Sequence, residues 1–138
     1  MAGTNRTVIT SSQAPQPLGA YSVGMSVSPG KLVYVAGQVS VDSSGNVVGK
    51  GDVAAQTRQA LENIGHVLAS AGASFTNVVE FTTYVVGRAS VQGYIQGRGE
   101  VYPDMYPDGD FPPNTLLVVA GLVNEDFLVE IKAVAALP

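Results

Sequence analysis

The stretch DVAAQTRQALENIGHVLASAGASFTNVVEFTTYVV, residues 52–86, carries two periodicities whose succession decides the fold. From Val53 to Ala71 the positions Val53, Thr57, Leu61, Ile64 and Leu68 recur at intervals of three and four, which places them on one stripe of a helix. Asp52 stands where a carboxylate can accept the free N–H groups of a helix start, and Gly72 where a helix closes. From Asn77 to Val86 the residues are β-branched and aromatic, as in a strand. An amphipathic helix leading directly into a strand predicts a mixed architecture.

Working outward, Arg6 to Thr10 is a short β-branched run, followed by the proline-containing loop SSQAPQPLG. Tyr21 to Val27 and Lys31 to Ala36 read as strands joined into a hairpin at SPG. The stretch VDSSGNVVGKG is rich in turn residues. Beyond residue 86, Val91 to about Tyr106 keeps a helical period through Val91, Tyr94, Ile95 and Val101, although Gly93, Gly97 and Gly99 weaken it. Thr115 to Leu122 and Phe127 to Ala136 read as two further strands around the turn VNED. The order predicts a single α+β domain over residues 1–138, a mixed sheet with two helices on one face and the other face left for contact between subunits.

Composition supports that last expectation. Charged residues make up 13% of the chain and hydrophobic residues 46%. Soluble domains carry about 25% charge, so part of this surface is expected to be covered by identical subunits. The net charge of -4 and the seven scattered Lys and Arg residues argue against nucleic acid as a partner. Cysteine is absent, which excludes disulfides, thiolate metal sites and a Cys nucleophile. No leader opens the chain and no apolar run approaches the roughly 18 residues of a membrane span, so the expected location is the cytoplasm, with no membrane partner.

Candidate chemistry is sparse. In the last strand, alternation sets Val129, Ile131 and Ala133 on one face and Leu128, Glu130 and Lys132 on the other. Glu130 is a carboxylate among apolar neighbours. Burial at a subunit boundary would raise its pKa and suit it to proton transfer, whereas a solvated face would make it an ordinary surface charge. His66 lies four residues after Glu62 on the helix, which makes a surface pair and no metal site. No GxSxG elbow is present, and GRASVQGYIQGRG lacks a phosphate-loop lysine. Tyr21, after PLGA, either faces a cleft or packs its ring and leaves its hydroxyl wet.

PLGAYSVG, VYVAGQVSVDSSGNVVG, the stretch 52–86, EVYPDMY and VEIKAVA together resemble the Rid family, the reactive intermediate deaminases also called YjgF, from about residue 12 to the C-terminus. The resemblance implies a chorismate-mutase-like fold assembled as a homotrimer, with clefts between subunits that take a small-molecule ligand. Typical members hydrolyse enamines and imines to a keto acid and ammonia, without metal or bound cofactor. Glu130 matches the family's glutamate, Tyr21 the tyrosine lining the cleft, and Gly37 with Gln38 the strand end bordering it. A trimer that binds a small molecule without turning it over is the alternative.

One departure concerns substrate. Typical deaminating members read P-A-R-S where this chain reads Pro112, Pro113, Asn114, Thr115, and their arginine grips the substrate carboxylate. Asn114 and Thr115 are expected to recognise a neutral polar group instead. Losing a charge-assisted pair costs a few kcal/mol, or roughly two orders of magnitude in affinity, so simple 2-imino acids are not the expected substrates. The asparagine usual three residues before Tyr102 is Gly99 here. Arg88 and Arg98 are the cations that could substitute, and exposure being the norm for arginine, both are expected on the surface.

Overall fold

In the computed structural model, which describes residues 5–138, helix α1 forms at Val53–Ser70. Residues 1–4, part of the stretch read for a leader, lie outside the described residues. The Asp52 carboxylate accepts the Ala55 N–H at 3.0 Å, and Gly72 adopts a left-handed φ of 74° beyond the helix end. A short 3-10 turn at Phe75–Asn77 leads into strand β4, Val78–Val86. The other elements are β1 (Arg6–Ile9), β2 (Gly24–Val27), β3 (Lys31–Val39), α2 (Ser90–Met105), β5 (Asn114–Val119) and β6 (Val129–Leu137).

The main sheet has the order β3-β6-β4-β5. β6 runs antiparallel to both its neighbours, whereas β4 and β5 are parallel. α2 supplies the crossover between β4 and β5 that parallel neighbours require. The expected hairpin at SPG does not form, because β2 pairs with β1 in a separate two-stranded ribbon. The reason is competition for a partner. β2 has four residues, whereas β6 offers nine with alternating burial, and β3 pairs along it from Lys31↔Leu137 to Val39↔Glu130. Ser28 to Gly30 thus becomes the corner between two sheets, with the Gly30 N–H bonded to the Leu137 carbonyl at 2.8 Å.

Both helices cover one face of the main sheet. Phe81, Val85, Val129, Ile131, Ala133 and Ala135 are buried there against Leu61, Ile64 and Leu68 of α1 and Tyr94 and Tyr102 of α2. Each large aliphatic side chain so buried stabilises the fold by about 1.5–3 kcal/mol. The glycines that weaken α2 as a helix have a packing purpose. A Cβ on Gly97 would lie 2.6 Å from the Ala54 carbonyl oxygen, and one on Gly93 would lie 2.7 Å from the Val53 Cβ. Their absence lets α2 cross α1 closely, and the rest of α2 is aligned on the sheet as a result.

The opposite face is open. Leu32, Tyr34 and Leu117 are exposed on it, Tyr34 by 73%. Among the described residues no helix is long and apolar enough to cross a membrane.

Candidate functional site

Strand register divides the expected site residues between the two faces of the sheet. Asn114 stands opposite Phe81, whereas Glu130 stands opposite Tyr84. Positions 81 and 84 of one strand are an odd number apart, so their side chains point to opposite faces. Asn114 therefore belongs to the helix-covered face and Glu130 to the open one.

Glu130 sits in a row formed by Val39, Glu130, Tyr84 and Leu117 across four strands. Its surroundings are shaped by β3. Between Val35, which pairs with Ala133, and Gln38, which pairs with Ile131, β3 has one residue more than β6. This is a β-bulge at Ala36 and Gly37, of the kind that re-aims side chains. A Cβ on Gly37 would collide with Glu130 Oε2, so the missing side chain makes room for the carboxylate. Gln38 turns the other way. Its amide donates to the Ala36 carbonyl at 3.1 Å, and it borders a shallow concavity with Asp42, Asn63 and His66. His66 itself pairs with Glu62 at 3.6 Å on the exposed side of α1. Among the described residues no group of three or more His, Cys, Asp or Glu side chains is placed to hold a metal ion.

The second group lines a cleft of about 380 Å³ between the loop before β2, helix α2 and the start of β5. Its walls are Leu18, Gly19, Tyr21, Ile95, Arg98, Asn114 and Leu116. Tyr21 is in the loop, three residues short of β2, and not on a strand as expected. Its hydroxyl accepts the Leu18 N–H at 3.1 Å, which folds the loop over the ring. Thr115 is not in the cleft. It pairs with Thr82 and is exposed on the open face, so Asn114 and Thr115 cannot touch one ligand from the same side.

Arg98 overturns the expectation that it lies on the surface, whereas Arg88, in the turn after β4, is exposed as expected. Arg98 is only 8% exposed and faces the cleft. Tyr94, Arg98 and Tyr102 are spaced by fours along α2, so the arginine shares the buried face with two tyrosines. Its guanidinium carbon lies 5.1 Å from the Tyr94 ring centroid and 5.6 Å from that of Tyr102, within range of cation–π attraction. Arg98 Nη1 donates to the Tyr94 hydroxyl at 3.3 Å. The Asn114 amide donates to the same hydroxyl at 3.4 Å, and its carbonyl accepts from buried Thr83 at 2.8 Å. Burial, and next the neighbouring Tyr94, holds the Tyr102 phenol well above its ordinary pKa, so it stays neutral beside the arginine.

The signal for Arg98 was present in the sequence. The period through Val91, Tyr94, Ile95 and Val101 that predicts the helix puts position 98 on its apolar side. A general preference of arginine for solvent outweighed that local pattern.

Two helices on a mixed four-stranded sheet define an α+β protein of the YjgF type. The chain belongs to the family described as Endoribonuclease L-PSP, whose model matches residues 11–137, and it is a Rid family member. It is 36% identical over 135 residues to the 2-iminobutanoate/2-iminopropanoate deaminase of Rattus norvegicus, covering 98% of this chain and 93% of that one. It is 33% identical over 130 residues to a RutC family protein of Pyrococcus horikoshii, covering 94% and 97%. Among solved structures, a conserved Rid family protein of unknown function, YyfB from Yersinia pestis, superimposes with a TM-score of 0.87 at 31% identity, covering 97% and 100%. E. coli TdcF with bound serine superimposes with a TM-score of 0.70 at 25% identity, covering 96% and 99%. Members of the family are usually trimers.

Proposed function

We propose that this protein hydrolyses a small imine or enamine to the corresponding carbonyl compound and ammonia, in a cleft completed by a second copy of the chain. The observation that carries this reading is the separation of Glu130 and Gly37 from Tyr21, Arg98 and Asn114 on opposite faces of one sheet. Neither half is a site alone. The open face that bears Glu130 also bears Leu32, Tyr34 and Leu117, the apolar surface a neighbouring subunit would cover. The adjoining copy in this reading presents its Glu130 carboxylate to the cleft of the first.

In this reading the ligand lies against Tyr21 and Leu116, and Glu130 of the adjoining copy holds a water against the C=N carbon. Water adds to that carbon while Glu130 accepts its proton. Starting from the protonated C=N, this gives a neutral carbinolamine. Glu130 returns its proton to nitrogen, then accepts the hydroxyl proton as the C–N bond breaks, and ammonia leaves with the carbonyl compound formed. Kinship with the rat 2-iminobutanoate/2-iminopropanoate deaminase supports the reaction class. Asn114 alone would argue against a carboxylate-bearing ligand. With Arg98 in the same wall, that objection loses its ground.

The test is to generate a 2-imino acid and an uncharged imine in situ and follow their decay and ammonia release with native protein and with Glu130→Gln. Native protein should accelerate the decay of at least one of them, and the Gln variant should lose about 100-fold or more of that acceleration. Binding without acceleration by either protein would make this a ligand-binding trimer with no turnover.

A further inference from the structure

We propose that Arg98 is the anion-binding residue of the cleft, gripping a ligand carboxylate from helix α2. This rests on reading the cleft as the ligand site, and it names the class of ligand.

The argument begins with a charge that lacks a partner. Among the described residues the other buried or paired cations are accounted for. Arg6 donates to the carbonyls of Thr76 and Asp110 at 2.5 and 3.1 Å, Arg58 pairs with Glu100 at 2.5 Å and Lys50 with Asp126 at 3.7 Å. Arg98 is more deeply buried than Arg58 or Lys50, yet among the described residues no carboxylate lies within ion-pair distance of it, and its side chain donates to the Tyr94 hydroxyl. A guanidinium has five N–H donors, so most of its capacity is unused. Burying a charge without an opposite charge is costly, and a fold that does so beside an open cleft has a cationic socket waiting for an anion.

The geometry selects the kind of anion. The guanidinium carbon lies over the rings of Tyr94 and Tyr102, and these two neighbours on α2 hold the planar group beside the cleft. Nη2 points toward the loop at Gly19, where an added Cβ would stand 3.5 Å away in ordinary contact. Among the described residues Arg98 is the one cationic side chain in the cleft wall. A single planar fork suits a carboxylate, bound by two parallel N–H···O bonds, better than a phosphate dianion, which calls for more than one positive charge. Next to it Asn114 has one amide hydrogen to spare for a carbonyl or imine acceptor, and Ile95 and Leu116 offer a surface for a short aliphatic body. The ligand so described is a short-chain acid with a polar double bond near its carboxylate.

The experiment titrates native protein, Arg98→Met and Arg98→Lys with 2-oxobutanoate, a stable analogue carrying the carboxylate, and with its uncharged methyl ester, by calorimetry. Native protein should prefer the acid to the ester. Arg98→Met should weaken the acid roughly 10- to 100-fold and leave the ester unchanged, with Arg98→Lys in between because it keeps the charge and loses the fork. Equal affinity of native protein for acid and ester, no binding of the acid, or undiminished acid binding by Arg98→Met would overturn the proposal. Should Arg98→Met fail to fold by circular dichroism, the acid-to-ester preference of native protein and the Lys variant decide the matter. Acid binding that depends on Arg98 in a protein without turnover would sink the hydrolase reading and leave this one standing. Turnover of a 2-imino acid with unchanged KM in Arg98→Met would do the reverse.

Discussion

Glu130 Oε2 occupies the space in which a Cβ of residue 37 would stand, so the carboxylate and the absent side chain of Gly37 share one position. The bulge at Ala36 and Gly37 and the carboxylate on β6 are thereby one structural unit. Gly37→Ala should push Glu130 out of place while leaving the sheet folded. A displacement of about 1 Å at a reacting group costs about 100-fold in rate, and steady-state kinetics on the imine substrate should show a fall of that order in kcat. Activity equal to native would mean that the position of Glu130 does not matter to turnover.

Helix α2 contains glycines with opposite duties. Gly97 faces the α1 backbone, so Gly97→Ala should separate the helices and destabilise the protein by about 1–3 kcal/mol. Nothing lies within 4 Å of a Cβ on Gly99, and Gly99→Ala should stabilise by roughly 0.5–1 kcal/mol through helix propensity. Urea unfolding of both variants at one protein concentration provides the measurement, and shifts of the same sign would contradict the packing described.

The open face predicts an assembly whose loss removes activity. Leu117 stands in the same row as Tyr84 and Glu130. Leu117→Asp would bring an unpaired charge to the surface that the proposed assembly covers and, at a cost of several kcal/mol, should leave smaller species than native protein in light scattering. Turnover should fall with the trimer, because each half-site would be left alone. A fully active monomer would refute the shared cleft.

Asp42 reports on the turn that follows β3. Its carboxylate accepts the Ser44 and Asn46 N–H groups at 2.9 and 3.0 Å. The Asn46 backbone bond above all holds its pKa below the usual aspartate value of 3.8. A depressed folded pKa means stability that is fully present above the unfolded value and lost as pH falls through the folded one. Carbon-detected NMR titration should therefore find Asp42 ionised at pH values where ordinary aspartates have begun to protonate, and Asp42→Asn should abolish that acid-dependent loss. An ordinary aspartate titration would mean that the turn is not held by this carboxylate.

Sequence reading succeeded where structure is governed by neighbours along the chain. Helix α1 with its Asp52 cap, strand β4 and the alternation that sets Glu130 on the face opposite Val129 and Ile131 all follow from periods of three, four and two residues. The resemblance carried by VEIKAVA and its companion stretches led to the family for the same reason, since those residues keep their spacing. It matched Gly37 with Gln38 to the strand end bordering the cleft and Glu130 to the family's glutamate; that Gly37 stands against Glu130 is a matter of register.

Tertiary structure decided the rest. Whether β3 pairs with β2 or with β6 depends on which distant strand offers the longer matching face, and no local pattern contains that comparison. Thr115 follows Asn114 in sequence but leaves for the other side of the sheet, because a strand alternates its side chains and only the register says which side is covered. Arg98 is the clearest case. Its position on the apolar stripe of α2 was legible, but its burial required Gly97 to seat the helix against α1 and two tyrosines to hold the guanidinium beside β5. The sequence by itself determined the elements and the family. Which face each side chain meets, and that an arginine on a helix stands where the strand lacks one, was decided by long-range packing, since burial is a property of the surfaces brought together and not of the residue alone.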